Sequence, residues 1–460
     1  MLIDHEPPAV REPVVDDADA LIREARWRTR RRRGRIAVVV LLVGAGVLAF
    51  FAATGGGSGI VAETASRPFV DVKTLSHGGE LAFVSRGQLW VLDGDTNELV
   101  HVSRGSQQAA DPQFSPNGRW LTYLVDSTQV WLARSDGASP RYVTTGGGIG
   151  GWLPNGRLVA GSGLWTISSA GIVTRVATVP RGLAAWSPDG GRYVFFSGSL
   201  GSTTKASTGT QRLEVASSLN GKRTTWYTGK VSFTQSGAQG YFLLDAVVLP
   251  AREGILFQFD PDQSADLPAD GLELYELRAP GARPKQIGLT LGLPIAIGAN
   301  GTFAITNGGN RYAWLTKSVE TCSAASALCT PVPTAHGELS FDPAWSPNGK
   351  QLAFVEAPTI SATNFFQATV KRWYASHSLW ILQRARTTPD EIKGSGGASS
   401  PTWSANGKSV MYVANDALWL LPTLSSKPVR IASPLLTPNN WQSFFGEINW
   451  TDQFAWLSHP

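Results

Sequence analysis

The residues able to do chemistry are few, and their spacing rules out most of the chemistry they could do. Cys322 and Cys329, in the run TCSAASALCTP, are the only two thiols in 460 residues. A structural zinc site needs four ligands, usually supplied in closer C-x2-C pairs, so this pair reads as a local disulfide in an exported segment. None of the six histidines forms an H-E-x-x-H pair and no G-x-S-x-G elbow occurs, which leaves zinc and serine hydrolysis without their residues. Asp93-Gly-Asp95-Thr-Asn97 opens as a calcium loop does. However, Glu98 stands where the sharp-turn glycine is required and the closing glutamate is missing, so a hairpin turn is the expectation. No catalytic residue, metal or cofactor is expected.

One stretch has an unusual composition for a loop. APTISATNFFQATVKRWYASHS, at 357–378, holds Phe365, Phe366, Lys371, Arg372, Trp373, Tyr374 and His377. Aromatic and basic side chains are the types that anchor protein interfaces, and loops on rigid frames are where binding resides. These seven residues are the expected partner-binding rim. The alternative is that the segment folds back as a short helix or hairpin capping its own domain. Two further insertions, 197–211 and 260–270, occupy the same place in a repeated unit.

That unit is the most informative feature of the chain. FSPNGRWLTYL from Phe114, WSPDGGRYVFF from Trp186, WSPNGKQLAFV from Trp345 and WSANGKSVMYV from Trp403 are clear copies. Weaker ones lie near Trp152, Phe233, Ile297 and Gly78. Pro presets φ in a turn, Asn or Asp tolerates the next position, and Gly supplies the positive φ that closes a short antiparallel connection. Each copy is therefore a hairpin followed by an alternating strand. A third strand follows, marked by an apolar residue and Trp, as in Leu89–Trp90, Val130–Trp131 and Leu418–Trp419, and a short fourth strand ends near Thr or Ser. Fixed places for the tryptophans point to sheet-to-sheet packing, not to carbohydrate stacking. Ser187-Pro-Asp189-Gly-Gly191 is like a sialidase Asp box, yet the other copies carry Asn, which makes it an ordinary repeat turn.

Four-stranded antiparallel units of this size stack radially. The expected fold is an all-β propeller over 71–460 with eight blades, seven being the alternative count. INWTDQFAWLSHP, from Ile448, resembles the first two strands of a blade and is expected to close the ring against the N-terminal blade.

The first 70 residues read differently. Residues 1–35 hold nine Arg against seven Asp or Glu, leaving 31 basic and 28 acidic groups for the rest, too even a balance for a phosphate-binding surface. Nucleic acid is not an expected partner. Residues 36–53 (IAVVVLLVGAGVLAFFAA) carry no charge and approach the ~20 residues a helix needs to cross a bilayer. Arginines before this stretch and none just after it place 1–35 in the cytoplasm. The expectation is a single transmembrane helix at 36–54, a flexible linker at 55–70 and an extracytoplasmic propeller at the cell membrane.

The W-S-P-[DN]-G motif with its alternating strand resembles the TolB-like propeller family, also described as WD40-like or PD40 repeats. The resemblance covers most of 70–460. It implies the fold more firmly than any activity, because such propellers serve in envelope proteins, peptidase gates and lyases. This chain lacks the separate N-terminal α/β domain of TolB itself, which argues against a direct Tol–Pal role. The reading that follows is a membrane-anchored binding or scaffold module for an envelope protein or polymer. The alternatives are a propeller-type hydrolase or lyase with a channel-mouth site, and a ligand-sensing ectodomain.

Overall fold

The computed structural model describes residues 67–459 apart from scattered short stretches, of which 199–206, 261–270, 362–366 and 436–449 are among the longest. The expected cytoplasmic segment, transmembrane helix and most of the linker lie outside the described residues. Among those described, no helix is long and apolar enough to cross a membrane.

Eight antiparallel sheets make up the structure, six of them threaded in chain order from the innermost strand outward. Numbered from the N-terminus, blade 2 is the simplest: Ala109–Phe114, Trp120–Val125, Gln129–Arg134 and Arg141–Thr145, each hydrogen-bonded to the next. Neighbouring blades bury apolar clusters between them, such as Val84, Leu89 and Val91 of blade 1 with Leu121, Tyr123 and Val125 of blade 2. The count is eight, not seven.

The repeat turn owes its shape to side chains as much as to glycine. In blade 2 the Gly118 N–H donates to the Ser115 carbonyl at 2.9 Å, with Gly118 at φ 67°. The Ser115 hydroxyl donates to Asn117 Oδ1 at 2.8 Å and accepts the Trp120 N–H at 3.0 Å. Arg119 N–H donates back to the same Asn117 oxygen at 3.2 Å. Ser346–Asn348 and Ser404–Asn406 repeat this arrangement in blades 7 and 8. In blade 3 Leu153 replaces the serine: the glycine bond survives at 2.9 Å, but no hydroxyl is there to cap the turn. The glycines also admit the neighbouring turn, since a Cβ on Gly349 would meet Ala299 of blade 6 at 2.9 Å.

The ring closes at both chain ends. Phe454–Leu457 is the innermost strand of blade 1, pairing with Glu80–Phe83, and Phe69–Val70 adds a fifth, outermost strand to blade 8 by pairing with Ser433 and Ala432. The C-terminal segment therefore supplies one strand where the sequence suggested two, because Trp450–Asp452 is a turn of 3-10 helix. The first strand, Phe69–Val70, also lies inside the expected linker, 55–70.

A second correction concerns the weak copy at Phe233. Its turn joins Thr224–Thr234 to Gly237–Gly240, a fifth strand at the outer edge of blade 4, so it does not open blade 5. Blade 5 begins with Phe242–Val248 and turns where Leu249 N–H meets the Gly254 carbonyl at 3.0 Å, with no Pro-Asn-Gly to announce it.

Candidate functional site

A meandering blade puts its first-to-second connections on one face of the disc and its second-to-third connections on the other. The first kind are the tight turns just described. The second kind vary, and the three insertions all belong to them: 199–206 in blade 4, 261–271 in blade 5 and 359–377 in blade 7 lie between second and third strands. One face is thus uniform and the other elaborated.

Two structures rise from the elaborated face. In blade 4 the second strand ends at Gly198, paired with Gln211, while its neighbours continue: Ser207–Thr210 pairs with Lys230–Phe233 beyond that point. This ribbon, with Gly237–Gly240 along its outer side, stands above the disc. In blade 7 the insertion forms helix α1, Gln367–Ala375, which ends two residues before the third strand at Ser378.

The seven expected rim residues divide between surface and interior. Lys371 and Arg372 on α1 are exposed. Trp373 is 3% exposed; its indole N–H donates to the Pro358 carbonyl at 3.0 Å. Its ring packs edge-on to Trp314 at 6.0 Å and stacks on Phe341 at 5.6 Å. Tyr374 is half-buried against it. His377, 1% exposed, lies 4.3 Å edge-on to Trp373 and its Nδ1 faces the Ala398 carbonyl at 3.1 Å. Phe365 and Phe366 lie outside the described residues. Trp373, Tyr374 and His377 fasten the insertion to the propeller, and Lys371 and Arg372 face solvent beside them.

Burial sets the charge state of this region. It pushes the His377 imidazole down to about 3, with the Ala398 carbonyl pulling weakly the other way, so the ring is neutral. Glu356, at the end of the second strand of blade 7, is 1% exposed and is pushed up to about 7 by burial, helped by the nearby Glu338 and Glu391 carboxylates. A long bond of 3.4 Å from the Ala335 N–H opposes the shift. A carboxyl so enclosed is not presented to a substrate. Lys317 is also buried, and its ammonium is held by four carbonyls, those of Gly309, Asn310, Tyr312 and Leu315, at 2.8–3.2 Å. It organises the blade 6 connection that delivers Trp314.

Trp314, Lys317, Phe341 and Glu356 were not singled out from the sequence. The available signal for the first two was length: 308–317 is another long second-to-third connection, and it carries a tryptophan. Cys322 and Cys329 sit directly opposite each other on the third and fourth strands of blade 6 and form a disulfide. It braces a hairpin on the uniform face, away from the rim. Among the described residues no group of three or more His, Cys, Asp or Glu is placed to hold a metal ion.

Neither a family model nor a curated protein matches the chain. Solved structures similar to it include TolB from Acinetobacter baumannii, at 13% identity and a TM-score of 0.33, covering 78% of this chain and 64% of that one. Dihydro-heme d1 dehydrogenase NirN in complex with DHE is similar at 15% identity and a TM-score of 0.45, covering 82% and 77%. Oligogalacturonate lyase in complex with manganese is similar at 11% and 0.29, covering 78% and 73%. This chain spans less than two thirds of the length of the Acinetobacter TolB. Similarity at this level speaks to the fold alone.

Proposed function

We propose that this chain is a membrane-anchored binding module whose propeller stands outside the cytoplasm and holds an envelope protein or polymer on its elaborated face. The observation that carries the reading is the asymmetry of the disc. One face carries the short turns of the repeat, whereas the other carries the blade 4 ribbon and α1, whose exposed Lys371 and Arg372 rest on a buried Trp373 anchor. Exposed cations on a rigid support favour an acidic partner surface. The uncharged stretch 36–53 behind its arginine run supports the anchor and the orientation.

The test has two parts. Phosphatase and fluorescent-protein fusions to the C-terminus of the full chain report its side of the membrane; active phosphatase is expected, and a fluorescent cytoplasmic fusion overturns the placement. Crosslinking from the elaborated face then identifies a partner whose affinity is measured. Lys371→Glu with Arg372→Glu is expected to weaken binding about tenfold or more. Lys350→Glu with Lys408→Glu, on turns of the uniform face, is expected to leave it unchanged. The opposite ranking removes the proposed face.

A further inference from the structure

The first strand, Phe69–Val70, joins the disc at a definite place, and that place has its own chemistry. Phe69 pairs with Ser433, the last residue of the fourth strand of blade 8, so the chain joins the propeller at the outer edge of this blade. Phe69 is 47% exposed, among the large apolar side chains left in solvent, and the Arg430 guanidinium lies 4.4 Å from its ring centroid. Arg67 and Lys427 are exposed on the same edge. The residues forming it, 67–71 and 417–433, contain Arg67, Lys427 and Arg430 against one acid, Asp71, whose carboxylate accepts the Lys73 and Thr74 N–H groups and the Thr74 hydroxyl. The outer two strands of blades 1, 2, 5, 6 and 7, with the turns joining them, each include an acid; those of blades 3 and 4 have none but carry a single cation each, Arg175 and Lys230.

Resting on the anchor reading above, we propose that the outer edge of blade 8 is a membrane-contact surface. Arg67, Lys427 and Arg430 engage the anionic headgroups of the bilayer in which the chain is anchored, and Phe69 sits at their level. Reach supports this occupant over any other. Thirteen residues, 54–66, separate the apolar stretch from the edge, and Gly/Ser-rich linkers of that length have in general a root-mean-square span of roughly 20 Å. Two blades of four strands about 4.8 Å apart, set across a channel, make the disc wider than that. The tether therefore holds the blade 8 edge near the lipid while leaving blade 4 on the far side. At such effective concentration even weak contacts are occupied. Cations beside an anionic leaflet, each worth about fivefold in partition, with an aromatic ring among them, are the residue types that bind that interface.

The experiment uses the full chain reconstituted in vesicles of phosphatidylcholine, with or without phosphatidylglycerol. A single donor dye is placed at Ser425→Cys on blade 8 or Lys222→Cys on blade 4, with acceptor dye in the outer headgroups. With phosphatidylglycerol, transfer from Ser425→Cys is expected to exceed that from Lys222→Cys. The excess is expected to be lost in high salt and in the variant combining Arg67→Ser, Lys427→Ser and Arg430→Ser. Equal transfer from both sites, or an excess indifferent to lipid charge, salt and these substitutions, overturns the contact. Flotation at alkaline pH separates the two readings: protein that leaves the vesicles refutes the anchor, whereas protein that floats with equal transfer refutes only the docked edge.

Discussion

Two buried titratable side chains at the blade 7 rim tilt stability in opposite directions with pH. Glu356 has an ordinary value of 4.5 and a folded value of about 7, so between those values the folded state keeps a proton that the unfolded chain has released. Its contribution is intact below pH 4.5 and is lost as pH rises through 7, a change on the order of 2–3 kcal/mol. His377 works the other way. Its folded value of about 3 lies below the ordinary 6.5, so stability falls as pH drops below 6.5, when the unfolded ring takes a proton the folded one refuses. Glu356→Gln, which keeps the shape without the charge, is expected to shrink the loss of stability between pH 5 and pH 8 by that amount. Urea unfolding of wild type and variant at both values checks it, and parallel pH profiles would mean that the carboxyl is not held protonated.

Among the elements, α1 and the blade 6 hairpin depend on a few contacts each. Trp373 joins α1 to Trp314, Phe341 and the Pro358 carbonyl, and among the described side chains of the helix it alone is buried. Trp373→Ala is expected to cost about 3–5 kcal/mol and to release the helix to proteolysis before the propeller unfolds. Trp373→Phe, which keeps the stacking and loses the indole donor, is expected to cost less than half of that. The Cys322–Cys329 bridge closes a short loop, so Cys322→Ser with Cys329→Ser is expected to lower stability by about 2 kcal/mol, measured by thermal unfolding against the oxidised wild type, with the reduced wild type unfolding like the variant. These elements also show what the sequence could reveal. Turns built from Ser, Pro, Asn and Gly are local, so copies such as Ser346-Pro-Asn348-Gly349 disclose the hairpin from their own chemistry. Blade 5 turns without that motif, and Gln-Ser-Gly near residue 235 imitates it on the outer edge of blade 4, so the register was misread there. The rim was legible in a different way. Phe, Trp, Tyr and His in an insertion have the composition of an interface, and only the contacts of Trp373 and His377 show that these two find partners within the chain.

At the scale of the whole molecule, the disc holds because its ends are tied to its two terminal blades, and the two ties are unequal. The C-terminal strand Phe454–Leu457 lies innermost in blade 1, with Phe454 buried at the boundary with blade 8 beside Trp450, Met411 and Val413. Trp456 donates its indole N–H to the Gly78 carbonyl at 2.9 Å, and Ser458 Oγ accepts the Ala405 N–H of blade 8 at 2.6 Å. The N-terminal tie is the two-residue strand Phe69–Val70 on the outside of blade 8, where Phe69 is half-exposed. Removing residues 453–460 strips the first strand from a sheet packed on both sides, exposing the Glu80–Ser85 backbone and the core between blades 1 and 8. Loss of a buried Phe alone costs about 3–5 kcal/mol, so this truncation is expected to lower the urea midpoint steeply and to promote association through the bared strand edge. Deleting residues 1–70 is expected to lower it only slightly, since an outer two-residue pairing is lost. Removing only His459 and Pro460 breaks an exposed His459–Asp95 pair and is expected to change stability by less than about 0.5 kcal/mol. Midpoints ranked in any other order would show that closure does not rest on the inner strand.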